Sequence, residues 1–144
     1  MASECDRLVR RWFEEVWNEG RAEAIDELLS PDCVVHGLGG AEATSSGPEL
    51  FKGFYARFKG AFPDIRITVD EVIADGDRCA VRFSCDATHQ GDHLGIAATQ
   101  QPVLFTAMAF THWKNGQIVE AWNNVDMVSV LQPIGAIQTL VPLD

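Results

Sequence analysis

The spacing of apolar residues changes once along this chain, at Ile65. Before Ile65 the apolar side chains recur about every three to four residues, which is typical of helices with one buried face. From Ile65 onward they alternate with polar side chains, as they do in half-buried strands. Because the helices come first and an antiparallel meander follows, the sequence predicts an α+β domain whose helices cover one face of the sheet.

Three helices are predicted in the first half of the chain. Ser3 is a candidate N-cap for the first helix. Pro48 occupies the favoured first-turn position of the third. Trp17 and Phe54 lie on the apolar faces of these two helices, where a side chain packs in the core or lines a pocket. The length of 144 residues fits a single domain, residues 1–144.

The last strands of the predicted sheet are apolar on two sides. The strand from Cys79 to His89 alternates cleanly, whereas Val103–Trp113 and much of Ile118–Val125 carry apolar residues on both faces. One face can pack against the helices, so the other needs a second cover. A homodimer formed through this sheet face is the simplest cover.

The turn between the last two strands decides which of their side chains share a face. A two-residue Asn115-Gly116 turn and a three-residue loop starting at Lys114 differ by one residue of register, which inverts every side chain. We favour the three-residue loop, because it requires a left-handed conformation at Gly116 only. One face then carries the following residues of the two strands: Leu104, His112, Trp122, Asn124 and Asp126.

Asp126 is a single carboxylate within an apolar run, and it has two interpretations. It is either a general acid/base desolvated by its neighbours or the N-cap of a helix that begins just after it. If the loop after His89 is symmetric about residues 96 and 97, His89 lies opposite Leu104 and in one row with Asp126. The two side chains are then about 9.6 Å apart, which leaves room for a small substrate. The other interpretation of His89 is a hydrogen-bonded core histidine.

The overall charge restricts the partners of the chain. Its net charge is −10 at pH 7, so phosphate backbones and anionic lipid surfaces repel it. No apolar run approaches the roughly 20 residues of a membrane span, and the first residues lack the apolar stretch of a signal peptide. We therefore expect a cytoplasmic protein with neither a membrane nor a nucleic acid as its partner.

Cysteine and histidine spacing argues against a metal site. The four cysteines form no Cys-x-x-Cys pair. Cys79 and Cys85 fall in one predicted strand, about 20 Å apart, too far for a disulfide. Reduced, packed thiols are therefore expected. No His-x-His spacing occurs, and the His-x-x-x-His spacing from His89 to His93 runs from a strand end into a loop, so no metal is predicted.

Five segments, taken in order, point to a known family. They read VWNEG, LLSPDCVVHG, GPELFKGFYARFKGAFPD, ATHQGDHLGI and NGQIVEAWNNVDMVSVLQPIG. Together they resemble the SnoaL-like polyketide cyclase and ester cyclase family, from about Trp12 to Gly135. The resemblance implies the fold of the ketosteroid isomerase and nuclear transport factor 2 group. That fold is a cone-shaped, curved mixed or antiparallel sheet, covered by three helices from the first half of the chain around an apolar pocket.

The resemblance also implies a function without cofactors. It suggests general acid/base chemistry on a small hydrophobic carbonyl substrate, as in the intramolecular aldol cyclisation of polyketides. The Trp-x-x-x-Asp pattern that starts at Trp122 gives Asp126 as the acid/base. For this chemistry we expect polar groups such as His89, His36 or Asn124 to steady the enolate oxygen. The expected substrate contacts are Trp122, Asn124, His112, Trp17, Phe54 and Leu104. Two alternatives stay open: an epoxide hydrolase or isomerase in the same pocket, and a non-catalytic module that binds small molecules.

Overall fold

The computed structural model describes residues 3–38 and 44–138. The helices, in chain order, are α1 (Glu4–Arg11), which continues as a π-helical segment (Trp12–Asn18), α2 (Glu23–Leu28), α3 (Glu49–Ala61) and α4 (Met127–Leu131). The strands are β1 (Leu29–His36), β2 (Thr44–Ser46), β3 (Arg66–Asp75), β4 (Arg78–Thr88), β5 (Pro102–Lys114) and β6 (Gln117–Val125). The predicted single domain also includes residues 1, 2, 39–43 and 139–144, which lie outside the described part.

The six strands form one mixed sheet in the order β2-β1-β6-β5-β4-β3. The pairing of β1 with β6 is parallel, and the other neighbouring strands pair in antiparallel fashion. Register shifts occur in three of the pairings, and such bulges bend and twist a strand. The predicted α+β fold, a curved sheet covered by helices from the first half of the chain, is confirmed.

The first helix begins where the sequence predicts. The Ser3 hydroxyl oxygen accepts a hydrogen bond from the backbone N–H of Asp6 at 3.1 Å, so Ser3 is the N-cap. Such a cap satisfies one of the backbone N–H groups that the first turn leaves without an intrahelical partner. Gly20 follows the π-helical segment with a φ of 69° and ends the helical run.

Strand β4 fixes the buried face of the sheet. Its residues alternate between buried and exposed positions along the strand, and Phe83 and Cys85 on the buried side face the helices. We call this side of the sheet the inner face and the opposite side the outer face. All four cysteines are buried free thiols, as expected.

The turn after β5 differs from the one we favour. Lys114 pairs with Gln117, so the turn has two residues, Asn115 with φ 54° and Gly116 with φ 78°. Asparagine tolerates this left-handed conformation better than most side chains, which permits the tight hairpin. The prediction of a three-residue loop is therefore wrong.

A bulge near the turn puts the predicted residues of β5 and β6 back on one face of the sheet. Trp113 pairs with Ile118, but His112 pairs with Glu120, so Val119 is one extra residue in β6. One extra residue inverts the alternation, just as the three-residue loop would have done. The predicted residues of β5 and β6 therefore do share a face, while Ile118 lies on the other.

That shared face is the outer one, because the register between β4 and β5 also differs from the prediction. Leu104 pairs with Asp86, and the backbone N–H of His89 donates to Gln101, three residues before the expected partner. An odd error inverts the faces. Phe105 consequently points towards the helices, whereas Leu104 is 65% exposed on the outer face.

None of the helices in the described part of the chain is long and apolar enough to cross a membrane.

Candidate functional site

A cavity lies between the helices and the inner face of the sheet. The centre of a water molecule can occupy about 70 Å³ inside it, which makes it narrow. Its helical wall is aromatic and consists mainly of Trp12, Phe13, Trp17, Phe51, Phe54 and Phe58. Trp17 and Phe54 were predicted as pocket residues, and both line the cavity.

Small side chains form the floor of the cavity. Ala107 and Ala109 of β5 lie beside Val125 and Asn123 of β6, and Ala121 follows on the same face. Alanine side chains end at Cβ, so they leave empty space above the sheet that the bulky helical residues do not fill. We refer to Ala107, Ala109 and Ala121 as the alanine floor.

The π-helical segment places two indole rings on the cavity. Trp12 and Trp17 are five residues apart, and the wide i→i+5 turn brings such residues to one side. Two side chains of α3 hold the segment: the Tyr55 hydroxyl donates to the Val16 carbonyl at 3.0 Å, and the Lys59 ammonium donates to the Trp17 carbonyl at 3.2 Å. Burial raises the pKa of Tyr55 and lowers the pKa of Lys59. Both polar groups therefore hold the π-helical segment in place and do not line the interior of the cavity.

Few polar groups reach the cavity, and most are already engaged. The Thr111 hydroxyl donates to the Cys79 carbonyl and accepts from the Trp113 indole N–H. Burial raises the pKa of the Cys85 thiol to about 12, so the thiol stays neutral. The described residues that line the cavity include no carboxylate, imidazole or ammonium group.

Asn123 supplies the amide group of the cavity. Its Nδ2 atom donates a hydrogen bond to the backbone carbonyl of His36 at 3.1 Å. An amide has two N–H donors and one carbonyl acceptor. No other hydrogen bond joins this side chain to a described residue, so one N–H and the Oδ1 atom remain for a ligand.

Asp126 lies away from the cavity, at the start of α4. Its Oδ1 accepts from the backbone N–H of Ser129 at 3.2 Å, and its Oδ2 accepts from the Ser129 hydroxyl at 2.6 Å. The residue is exposed, and its own backbone N–H donates to Thr106 rather than pairing with Leu104. The predicted pocket-facing position is wrong, and the alternative interpretation as a helix N-cap is confirmed.

His89 is fully buried, but it does not line the cavity. Its Nδ1 atom accepts from the backbone N–H of Thr99 at 3.2 Å and lies 3.0 Å from the Thr99 hydroxyl. Its ring packs against Phe62 with the centroids 5.8 Å apart. These contacts anchor the loop after β4. The predicted row that joins His89 and Asp126 does not form, because the two residues lie on opposite faces.

The remaining predicted site residues lie on the outer face. The His36 ring stacks on Trp122 at 5.1 Å and its Nε2 atom lies 2.8 Å from the Glu120 carboxylate. His112 meets Trp122 edge-on, also at 5.1 Å. Neither these side chains nor those of Leu104 and Asn124 line the cavity. The predicted position of the residues of β5 and β6 in the pocket is wrong because the register of β5 is inverted, and the His36 side chain of β1 also lies outside the cavity.

Asn123 and the alanine floor were not predicted as site residues. Their signal was present in the sequence, because both sets alternate with the large outer-face residues along β5 and β6. In the observed register Ala107 pairs with Phe83 and Ala109 pairs with Val81, two residues that the alternation of β4 identifies as buried.

Substitutions at Asp126 should separate capping from chemistry. We expect Asp126→Ala to lower the free energy of unfolding by about 1 kcal/mol, because Ser129 loses its cap, and Asp126→Asn to change it by a few tenths, because asparagine also caps well. Urea unfolding measures both. Unchanged stability in Asp126→Ala would contradict the capping assignment, and loss of turnover in Asp126→Asn at unchanged stability would show that the carboxylate takes part in chemistry.

The sequence matches the model of one protein family, described as SnoaL-like polyketide cyclase, over residues 7–134. The match covers most of the 144 residues. The chain belongs to this family. No curated protein matches the sequence.

Solved structures of similar fold agree with this assignment. A provisionally named SnoaL-like polyketide cyclase from Jannaschia sp. CCS1 superposes with a TM-score of 0.81 at 23% identity, over 94% of each chain. IdmH from Streptomyces antibioticus, provisionally a polyketide cyclase, has a TM-score of 0.77 at 28% identity, over 90% of this chain and 96% of IdmH. AclR from Streptomyces galilaeus, provisionally a hydroxylase, has a TM-score of 0.79 at 27% identity, over 98% of this chain and 87% of AclR. A ketosteroid isomerase-like fold is also among the matches.

Proposed function

We propose that this SnoaL-like protein is a cofactor-independent, cyclase-like enzyme that acts on a small, neutral, hydrophobic carbonyl substrate. The observation that carries the proposal is the cavity, with aromatic walls, an alanine floor and one amide, Asn123. A concave apolar site with few polar groups is typical of a small-molecule site. The family assignment supports a cyclase-like role.

The proposed reaction is an intramolecular aldol addition. Water takes a proton from the α-carbon of one carbonyl, the enolate carbon forms a bond to a second carbonyl carbon, and the resulting alkoxide takes a proton back from water, so that the product is an isomer of the substrate. The cavity contributes by folding an open chain so that the two carbons meet in a water-poor site. The N–H of Asn123 is placed to stabilise an enolate oxygen, because donors that are fixed before the reaction need no reorganisation.

Asp126, His89 and His36 take no part in this proposal. The Asp126 carboxylate caps α4, and His89 anchors a loop beyond the cavity. The His36 imidazole is on the outer face beside Glu120, and only its backbone carbonyl reaches the cavity side, through Asn123.

Turnover of open-chain diketones and triketones tests the proposal. Chromatography with mass detection should reveal a cyclic isomer, or its dehydrated form, that accumulates faster with the protein than in buffer alone. Ketones that bind without any acceleration of ring closure would refute the enzyme proposal.

A non-catalytic binding module is the second candidate function. It is supported by the composition of the cavity wall, because the described lining residues include no carboxylate, imidazole or ammonium group. It predicts binding of the same ketones, with no chemical change.

Epoxide hydrolysis or isomerisation is less well supported. The family model describes a polyketide cyclase, and Asp126, the carboxylate expected to activate water for epoxide hydrolysis, is on the outer side of the sheet. Water labelled with oxygen-18 distinguishes the reactions, because hydrolysis incorporates the label at a carbon that ring closure leaves untouched.

We further propose a homodimer formed through the outer face. The exposed hydrophobic residues there are Ile73, Leu104, Met108, Phe110 and Trp122. They come from neighbouring strands and form an apolar patch of the kind that marks an interaction site. A second copy of the chain fits because a two-fold dimer pairs the same patch on both copies.

Light scattering at micromolar concentration tests the dimer. We expect twice the chain mass of 15.8 kDa for the wild type and a monomer for Phe110→Asp, because a charge at an aromatic interface residue costs about 2 kcal/mol or more, on the order of a hot spot. Ala56→Asp, on the exposed side of α3, is the matched control and should stay dimeric. A monomeric wild type would refute the proposal.

A further inference from the structure

We infer that Asn123 determines specificity in the cavity by binding one oxygen of a neutral ketone or alcohol whose hydrocarbon body lies on the alanine floor. The inference rests on the proposed function only in taking the cavity as the substrate site. It names the ligand class, a neutral ring or chain that presents an oxygen to the amide, and the residue that recognises it.

Charged ligands do not fit this cavity. Burying a charge without a partner is far more costly than burying a hydrogen-bonded carbonyl. The described lining residues offer no opposite charge, and burial already keeps the Cys85 thiol in its neutral form. A carboxylate, phosphate or ammonium group of a ligand would therefore have to remain outside.

The Asn123 amide is held in place before any ligand arrives. Its hydrogen bond to the His36 carbonyl fixes the side chain, and Gly37 brings β1 against the backbone of Asn123. A Cβ atom built on Gly37 would lie 2.2 Å from the Asn123 carbonyl oxygen, so the two backbones touch. A polar group that is fixed in this way discriminates between ligands, because it is left unpaired when the ligand lacks an oxygen.

The residue that pairs with Asn123 on the neighbouring strand β5 is small and leaves room for the ligand oxygen. Asn123 pairs with Ala109, whose side chain ends at Cβ. The free N–H and Oδ1 of the amide therefore border the alanine floor instead of a bulky neighbour. A ketone can accept from the N–H, and an alcohol can also donate to Oδ1.

A pair of probes that differ in one oxygen tests the inference. Titration calorimetry gives the dissociation constants of α-tetralone, a neutral bicyclic ketone, and of tetralin, the hydrocarbon without the oxygen. In Asn123→Leu we expect the ratio of the tetralone constant to the tetralin constant to rise about five- to tenfold, the value of one hydrogen bond. The ratio matters because a merely structural loss weakens both probes alike.

Asn124→Leu is the matched control, since the neighbouring residue is on the outer face and should leave the ratio unchanged. An unchanged ratio in Asn123→Leu, or a wild type that binds neither probe, would overturn the inference. A shifted ratio in a protein that never closes a ring would uphold the inference and refute the enzyme proposal, so the two fail separately.

Discussion

Ala109→Leu is expected to weaken the binding of α-tetralone by about 10- to 100-fold while the protein stays folded. The added carbons would occupy the floor of the cavity beside Asn123, where the ligand lies. Overpacking of a filled site costs about 1–3 kcal/mol, which corresponds to that range of affinity. In the empty protein the same carbons fill space, so the free energy of unfolding should change little.

Met108→Leu is the control for this experiment. Met108 precedes Ala109 on β5, but its side chain is on the outer face and is 60% exposed. The substitution conserves volume, and we expect no change in the tetralone dissociation constant. Equal effects of the two substitutions would show that the ligand does not occupy the cavity.

The elements of this fold could be predicted because their signals are local. The N-cap at Ser3 and the alternation of β4 each depend on a few neighbouring residues, and both appear as expected. The N-cap interpretation of Asp126 has the same local origin, since the Ser129 N–H is three residues away. Local patterns alone thus place the helices, the strands and this cap.

The site could not be predicted in the same way, because its faces depend on pairing across a long loop. The segment from Gln90 to Gln101 has no strand pattern that fixes its length, and an error of three residues inverted β5. Both faces of β5 are apolar, so hydrophobicity could not correct the error. The exchange of Asn124 for Asn123 as the cavity residue follows directly from this inversion.

The hairpin after β5 shows how two errors can cancel. A two-residue turn at Asn115-Gly116 would have inverted β6 relative to β5, but the bulge at Val119 inverts it again. The outer-face set of β5 and β6 was therefore grouped correctly without the correct turn. Which side of the sheet the helices cover is a tertiary property, and it alone decides that these residues do not line the cavity.

Gly37→Ala is expected to destabilise the protein by about 3 kcal/mol and to lower its melting temperature by about 10 °C. Two costs add. Gly37 has a φ of +89°, which a residue with a Cβ rarely adopts. Its Cβ would also lie 2.2 Å from the Asn123 carbonyl oxygen, an atom of the strand backbone that can only move if β1 separates from β6. Thermal unfolding followed by circular dichroism measures the loss.

Gly135→Ala separates the two costs. Gly135 has a similar φ of +81°, but nothing lies within 4 Å of the position that its Cβ would take, so only the backbone strain of about 1 kcal/mol should remain. The difference between the two variants then reports the contact between Gly37 and Asn123. Because a displaced Asn123 no longer meets the ligand oxygen, Gly37→Ala should also raise the ratio of the tetralone to the tetralin dissociation constant, and Gly135→Ala should not. Equal destabilisation by both substitutions, with an unchanged ratio, would show that the close approach of β1 does not position the amide.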